Sequence, residues 1–467
     1  MKYQALLLSV ILLSAVEARS DRFVNGQPAA SALGQAFLDS NLPGSGPNKF
    51  QYPTGVTVDL ATGKVFVSDS DNYRILRFSA ISSLITGSLT EAVIGQPDLE
   101  TTDPRLPSRQ SLALVEHLVV DGNGRLWVCD SGNNRILCFL NASSRGNNPE
   151  ADLVFGQPGF DTGDPAASAS GMSYPAGVAF GPGDTLWVAD TENHRVLRFG
   201  GVSGKASGAS ADSVLGQTNF SNNEAATTAS GMNRPYALSV DASGRLWVAD
   251  SDNHRVLRFD NAASLANGAS ASRVLGQSLF ITANPGITAA GFDSPRGVLA
   301  GPDDTLYVAD WANGRVLGFV AAVGKTNGAA ADFVLGQPGF GSPVTGPSRT
   351  LLNGPTGLSL SGSGDLFVAD FNDHRVLRFV RFKTPALTIL TKPPKFTRTR
   401  LFWFTGTAVG EISTVTWRVG TGSRKVATGT NRWRFRAPLK KGRNRITVIA
   451  SGPGGNSPAR TVFLTRK

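Results

Sequence analysis

"WVADTENHRVLRF" (187–199) places two acids, a histidine and an arginine between two apolar runs. The flanking Trp, Val, Leu and Phe are strand formers, and the Asp/Asn-containing middle is turn chemistry. That middle is either a reactive centre or the brace of a hairpin. The chain decides by repetition. Five further copies read "FVSDSDNYRILRF" (66–78), "WVCDSGNNRILCF" (127–139), "WVADSDNHRVLRF" (247–259), "YVADWANGRVLGF" (307–319) and "FVADFNDHRVLRF" (367–379). Their Asp residues fall at 69, 130, 190, 250, 310 and 370, a spacing of 60 or 61. Six copies in that register indicate a repeat architecture.

Within the third period four short apolar runs recur: "GVAF" (177–180), "TLWVAD" (185–190), "RVLRF" (195–199) and "SVLGQ" (213–217). No useful helical periodicity appears. Four-stranded units repeated radially make a β-propeller, which hides most sheet edges around an axis. The expected fold is all-β, a six-bladed β-propeller followed by a small β-sandwich. The signature Asp190-Asn193-His194-Arg195-Val196, repeated as Asp250-Asn253-His254-Arg255-Val256, resembles that of NHL-repeat propellers. The resemblance covers roughly residues 30 to 382 and implies an NHL-type propeller within 19–382. By itself it implies no particular chemistry.

The sixth copy lacks a following "VLGQ", and "ALGQ" stands at 32–35, ahead of the first copy. From Gln157, Gln217, Gln277 and Gln337 to the next innermost strand is 20 residues, and Gln35 to Gly55 is also 20. Residues 30–35 are therefore predicted to form the outer strand of the last blade. The competing "FVNGQP" (23–28) lies eight residues too far from Gly55.

Six acid–base pairs flank the hairpins: Asp69 and Arg74, Asp130 and Arg135, Asp190 and Arg195, Asp250 and Arg255, Asp310 and Arg315, Asp370 and Arg375. A charge-assisted hydrogen bond in each would brace the turn. A catalyst needs one site and not six, so these pairs are read as structural. His194, His254 and His374 occupy the loops of separate blades, too far apart to share a metal. "DSDN" (69–72 and 250–253) lacks the glycine and distal Glu of a calcium loop. No metal site and no cofactor is expected. Cys129 and Cys138 lie on adjoining strands of the second blade, on one sheet face. With an export signal a disulfide is expected; buried free thiols are the alternative if a diagonal placement holds the sulfurs apart.

Amidating lyases of the NHL type and six-bladed lactonases are similar propellers, and that likeness implies chemistry at the axis with His or acidic ligands from several blades. The innermost strands here offer one imidazole, His117, where a zinc site needs about three protein ligands. Thr54, Glu116, Ala176, Tyr236, Arg296 and Thr356 precede those strands and should ring one mouth of the channel. Glu116, His117, Tyr236 and Arg296 are the candidate ligand-binding rim; a solvated rim around a water-filled channel is the competing reading. The long connections, such as 158–175 and 278–295, share a face with the hairpins. Loops of that length on a rigid disc suit recognition of a protein or glycan ligand.

"MKYQALLLSVILLSAVEA" (1–18) reads as a signal peptide, which implies a secreted, periplasmic or envelope protein. No later stretch is long enough for a transmembrane helix. Charge is uneven: Lys383–Lys467 holds 18 Lys and Arg against one acid, Glu411, leaving 45 − 18 = 27 basic and 35 − 1 = 34 acidic residues elsewhere. Short alternating strands over 386–467 suit a β-sandwich and resemble bacterial immunoglobulin-like modules. In "NRWRFR" (431–436), Arg432, Arg434 and Arg436 share one strand face while Trp433 and Phe435 take the other. That basic surface would attract acidic polymers or dock on the mildly acidic propeller. Export argues against nucleic acid. The functional expectation is a secreted binding or scaffold protein attached to envelope or matrix, with a lyase or lactonase acting at the channel mouth as the alternative.

Overall fold

The computed structural model describes residues 22–341 and 343–467. The expected signal peptide (1–18) lies outside the described residues. The chain divides into two compact units, Val24–Val380 and Arg381–Lys467, the second including Arg22 and Phe23.

In the first unit each period becomes a four-stranded antiparallel sheet. The third blade, for example, runs Pro175–Gly181, Thr185–Asp190, Arg195–Phe199 and Ser213–Leu215 from the axis outward. The sixth blade, Pro355–Leu360, Leu366–Asp370 and Arg375–Phe379, is completed by Ser31–Leu33, with Ala32 opposite Leu377. Residues from the two ends of the unit thus share one sheet, and the six-bladed ring is closed without a covalent bond.

Strands of the blades are apolar on both faces because each blade packs on two others. Val188 and Leu197 meet Trp127 and Ile136 of the second blade, whereas Trp187 and Ala189 meet Leu246 and Val248 of the fourth. Near the axis the backbones converge. A Cβ on Gly177 would stand 2.2 Å from the Tyr236 carbonyl, and one on Gly297 would stand 2.0 Å from that of Thr356. Only glycine fits that approach.

The expected Cys129–Cys138 disulfide is corrected: both thiols are free and buried. Cys129 faces Ile136 and Cys138 faces Trp127 across the hairpin, so the cysteines are diagonal neighbours. Diagonal Cα atoms in such a pair are about 7–8 Å apart, beyond ordinary disulfide reach. Burial pushes the Cys129 thiol well above its usual range and the Cys138 thiol up to about 12.

The second unit is a β-sandwich. One sheet contains Ala386–Ile389, Leu401–Val409 and Arg432–Pro438; the other is built around Gly442–Gly452, flanked by Thr414–Val419 and Arg460–Arg466. Their inner faces meet where Trp417 stacks on Phe435 at 4.5 Å, backed by Ile446, Val448 and Leu464. Among the described residues no helix is long and apolar enough to cross a membrane.

Candidate functional site

The hairpins come first, because they hold the loops in place. In the third blade Asp190 Oδ2 accepts from Arg195 Nε at 2.7 Å and from Asn193 Nδ2 at 2.8 Å, and Oδ1 accepts from the Ser173 amide at 2.6 Å. The remaining Arg195 nitrogens donate to the carbonyls of Ser168 and Gly171 in the preceding long loop and of Phe220 in the following one. One buried pair therefore ties a hairpin to two loops. All six Asp–Arg pairs stand at 2.7 Å. Burial pushes the Asp190 carboxyl up, while Arg195 and the amide and Asn193 donors pull it down. These side chains have spent their hydrogen bonds on the fold.

The hairpin histidines have a specific task that their sequence positions leave open. Each hairpin leaves through a left-handed residue, and where that residue is His or Asn its side chain reaches the next blade. His374 Nδ1 accepts from the Tyr52 amide at 3.1 Å, His194 Nδ1 from Arg234 at 3.0 Å, and His254 Nδ1 from Ser294 at 3.0 Å. Asn134 Oδ1 does the same for Tyr174 at 2.8 Å. The donating residues Tyr52, Tyr174, Arg234 and Ser294 are also left-handed, with φ between 48° and 53°. Acceptance at Nδ1 requires a neutral imidazole. Burial lowers the pKa of His194 and His374 accordingly.

The mouth of the channel is built differently. Glu116 is 5% exposed, and its Oε1 accepts from the Tyr174 hydroxyl at 2.7 Å. The Tyr236 phenol is directed at the same carboxylate, yet Glu116 Oε2 has no geometrically satisfied hydrogen bond. Burial raises the Glu116 pKa against the pull of the two phenols and Arg296. The Arg296 guanidinium lies 3.9 Å over the Trp311 ring and 5.2 Å from that of Tyr236. His117 meets Tyr236 edge-on at 5.9 Å, and burial drops its pKa to about 4. Below it, a cavity of ≈ 210 Å³ is lined by inner-strand residues of all six blades, including Gly55, His117, Val178, Leu238, Val298 and Leu358. His117 Nε2, Trp311 Nε1 and Thr356 Oγ1 are buried without hydrogen-bond partners.

All four predicted rim residues, Glu116, His117, Tyr236 and Arg296, thus fall in one cluster. Thr54 does not contribute an open group, since its hydroxyl donates to the Val115 carbonyl at 2.6 Å, and Ala176 is fully buried. Sequence reasoning missed Tyr174 and Trp311. A usable signal existed for Trp311. In the second and third blades the residue after the hairpin Asp is a hydroxyl that clamps the next blade: Ser131 donates to the Pro175 carbonyl at 2.6 Å and Thr191 to that of Pro235 at 2.7 Å. The fifth and sixth blades carry Trp311 and Phe371 there instead. Phe371 packs on Tyr52 at 4.8 Å. Departure from the repeat marks the mouth.

Zinc, which the likeness to amidating lyases implies, does not fit these residues. Among the described residues, His117 is the one titratable side chain lining the cavity. Among the described residues no three His, Cys, Asp or Glu side chains are grouped to hold a metal ion. In the sandwich, Arg432, Arg434 and Arg436 are exposed and alternate with buried Trp433, Phe435 and Ala437.

The NHL repeat family matches residues 50–78, 116–139, 172–199, 232–259 and 352–379. The chain carries five matched NHL repeats and folds as a β-propeller. It is 41% identical over 101 residues to the peptidyl-glycine alpha-amidating monooxygenase of Mus musculus, an alignment covering 21% of this chain and 9% of that protein. It is 26% identical over 398 residues to the human NHL repeat-containing protein 2, covering 78% of this chain and 51% of that one. The match therefore spans about a tenth of the amidating monooxygenases and half of the human protein. Among solved structures, the gluconolactonase XC5397 of Xanthomonas campestris is similar with 12% identity and a TM-score of 0.43, covering 78% of this chain and 99% of that one.

Proposed function

We infer that the protein binds a small polar ligand at the axial mouth on the loop face of the propeller, and that it does so outside the cell as a binding or scaffold component. One observation carries this reading: Glu116, His117, Tyr236 and Arg296 cluster at the channel mouth, and His117 Nε2 is buried there at the axial cavity without a hydrogen-bond partner. Buried polar groups are normally paired, and a bound molecule would supply the missing partner. Arg296, held flat against Trp311, suits a carboxylate. Glu116 suits an amine or hydroxyl donor. The fitting ligand class is an amino, hydroxy or uronic acid. The signal-like opening (1–18) supports export.

Calorimetric titration of the full chain with a panel of amino, hydroxy and uronic acids tests the reading. A compound that binds the native chain should lose about tenfold or more in affinity to Arg296→Ala and to Glu116→Gln. Equal binding to both variants, or no binder in the panel, favours the solvated rim. Catalysis at the same mouth is the second reading, favoured by the buried Glu116 carboxyl poised between two phenols. Turnover of a panel compound by the native chain, abolished in Glu116→Gln, would favour that reading over simple binding.

A further inference from the structure

We propose that the outer face of the Arg432–Pro438 sheet in the C-terminal sandwich is a binding site for an acidic polysaccharide. This surface is separate from the propeller mouth and does not depend on it. The strand register sets Trp403 opposite Arg436, Thr405 opposite Arg434 and Thr407 opposite Arg432. Trp403 is 52% exposed, and the guanidiniums of Arg434 and Arg436 each lie 5.9 Å from its ring. A depression of ≈ 450 Å³ on this unit is lined by Thr405, Thr407, Thr428, Arg432 and Arg434. Charge here is uncompensated, because the one acid between Lys383 and Lys467 is Glu411.

The chemistry of the face selects the polymer. Arginines alternating along a strand recur every two residues, about 6.4–6.8 Å apart, a row of separate cations for the carboxylates or sulfates of a chain molecule. An exposed indole offers a flat apolar platform for a sugar ring, and the three threonines offer hydroxyl partners. Single-stranded nucleic acid is held by stacking successive bases on several aromatics. This face exposes one indole among hydroxyls, so the polysaccharide is the better match.

The test uses the full chain in affinity electrophoresis through gels containing polygalacturonate, neutral dextran or poly(dT). Polygalacturonate should retard the protein and dextran should not. The double variant Arg434→Ala/Arg436→Ala should weaken retardation about tenfold, and Trp403→Ala about threefold to fivefold. Arg443→Ala/Arg445→Ala removes the same charge from the other sheet, where both arginines are exposed, and should cost about threefold or less. All five positions are exposed, so the fold survives each change. Tighter binding to poly(dT), or an equal loss in the two double variants, overturns the proposal.

Discussion

The hairpins and the channel mouth both bury charged and polar side chains, but they spend them differently. At the Asp190–Arg195 hairpin the carboxylate accepts three donors and the guanidinium reaches three carbonyls. At the mouth, Glu116 is held between the Tyr174 and Tyr236 phenols, and His117, Trp311 and Thr356 each keep a buried atom unpaired. Satisfied polar clusters hold a fold; unsatisfied ones around a cavity are available to a ligand. Composition alone does not distinguish them, since both contain acids, arginine and histidine.

The contrast breaks most visibly if the hairpin arginine is expendable. Arg195→Ala strands a fully buried carboxylate, which typically costs about 3–5 kcal/mol. A pronounced fall in thermal midpoint by circular dichroism is expected, and an unchanged midpoint would refute the bracing role. The latches should respond to acid. For His194 and His374 the folded pKa is below the unfolded value of 6.5. Their contribution is therefore fully present above pH 6.5 and fades as pH falls through the folded value. The double variant His194→Asn/His374→Asn, which copies the Asn134 latch, should lose less stability than the native chain between pH 7.5 and 5. Parallel pH profiles for the two proteins would rule the latches out.

At the mouth the sign reverses. Glu116→Gln removes a buried charge that folding does not use fully, so the thermal midpoint should hold or rise while ligand affinity falls. A large drop in midpoint would make Glu116 another brace. The smallest expected effect is that of reductant. Cys129 and Cys138 are free thiols, so reducing agent should leave the melting curve unmoved, and a thiol reagent should label both only after unfolding.

Much of the architecture is legible in the residues themselves. The 60-residue spacing of the Asp positions counts the blades, and the 20-residue interval from Gln35 to Gly55 points to a strand where Ser31–Leu33 pairs with the sixth blade. Alternation in "NRWRFR" separates exposed arginines from a buried Trp433 and Phe435. The cysteines were harder. Alternation puts them on one face, but only the register shows that each faces a different partner. The histidines were opaque because their partners lie 40 residues onward in the next blade, and for His374 across the closure of the ring, on Tyr52.

The repeat, its count and the hairpin braces follow from the order of amino acids, because they depend on contacts within one period and on strand alternation. The mouth is legible only in outline, as a rim of equivalent positions, and its full membership follows from the folded ring. Glu116, Tyr174, Tyr236, Arg296 and Trp311 come from four different blades; the repeat spacing aligns Glu116, Tyr236 and Arg296 at one rim, but nothing in it brings Tyr174 and Trp311 to them. They meet because the inner strands are drawn to one axis, where close backbone packing turns six separate rims into a single ring.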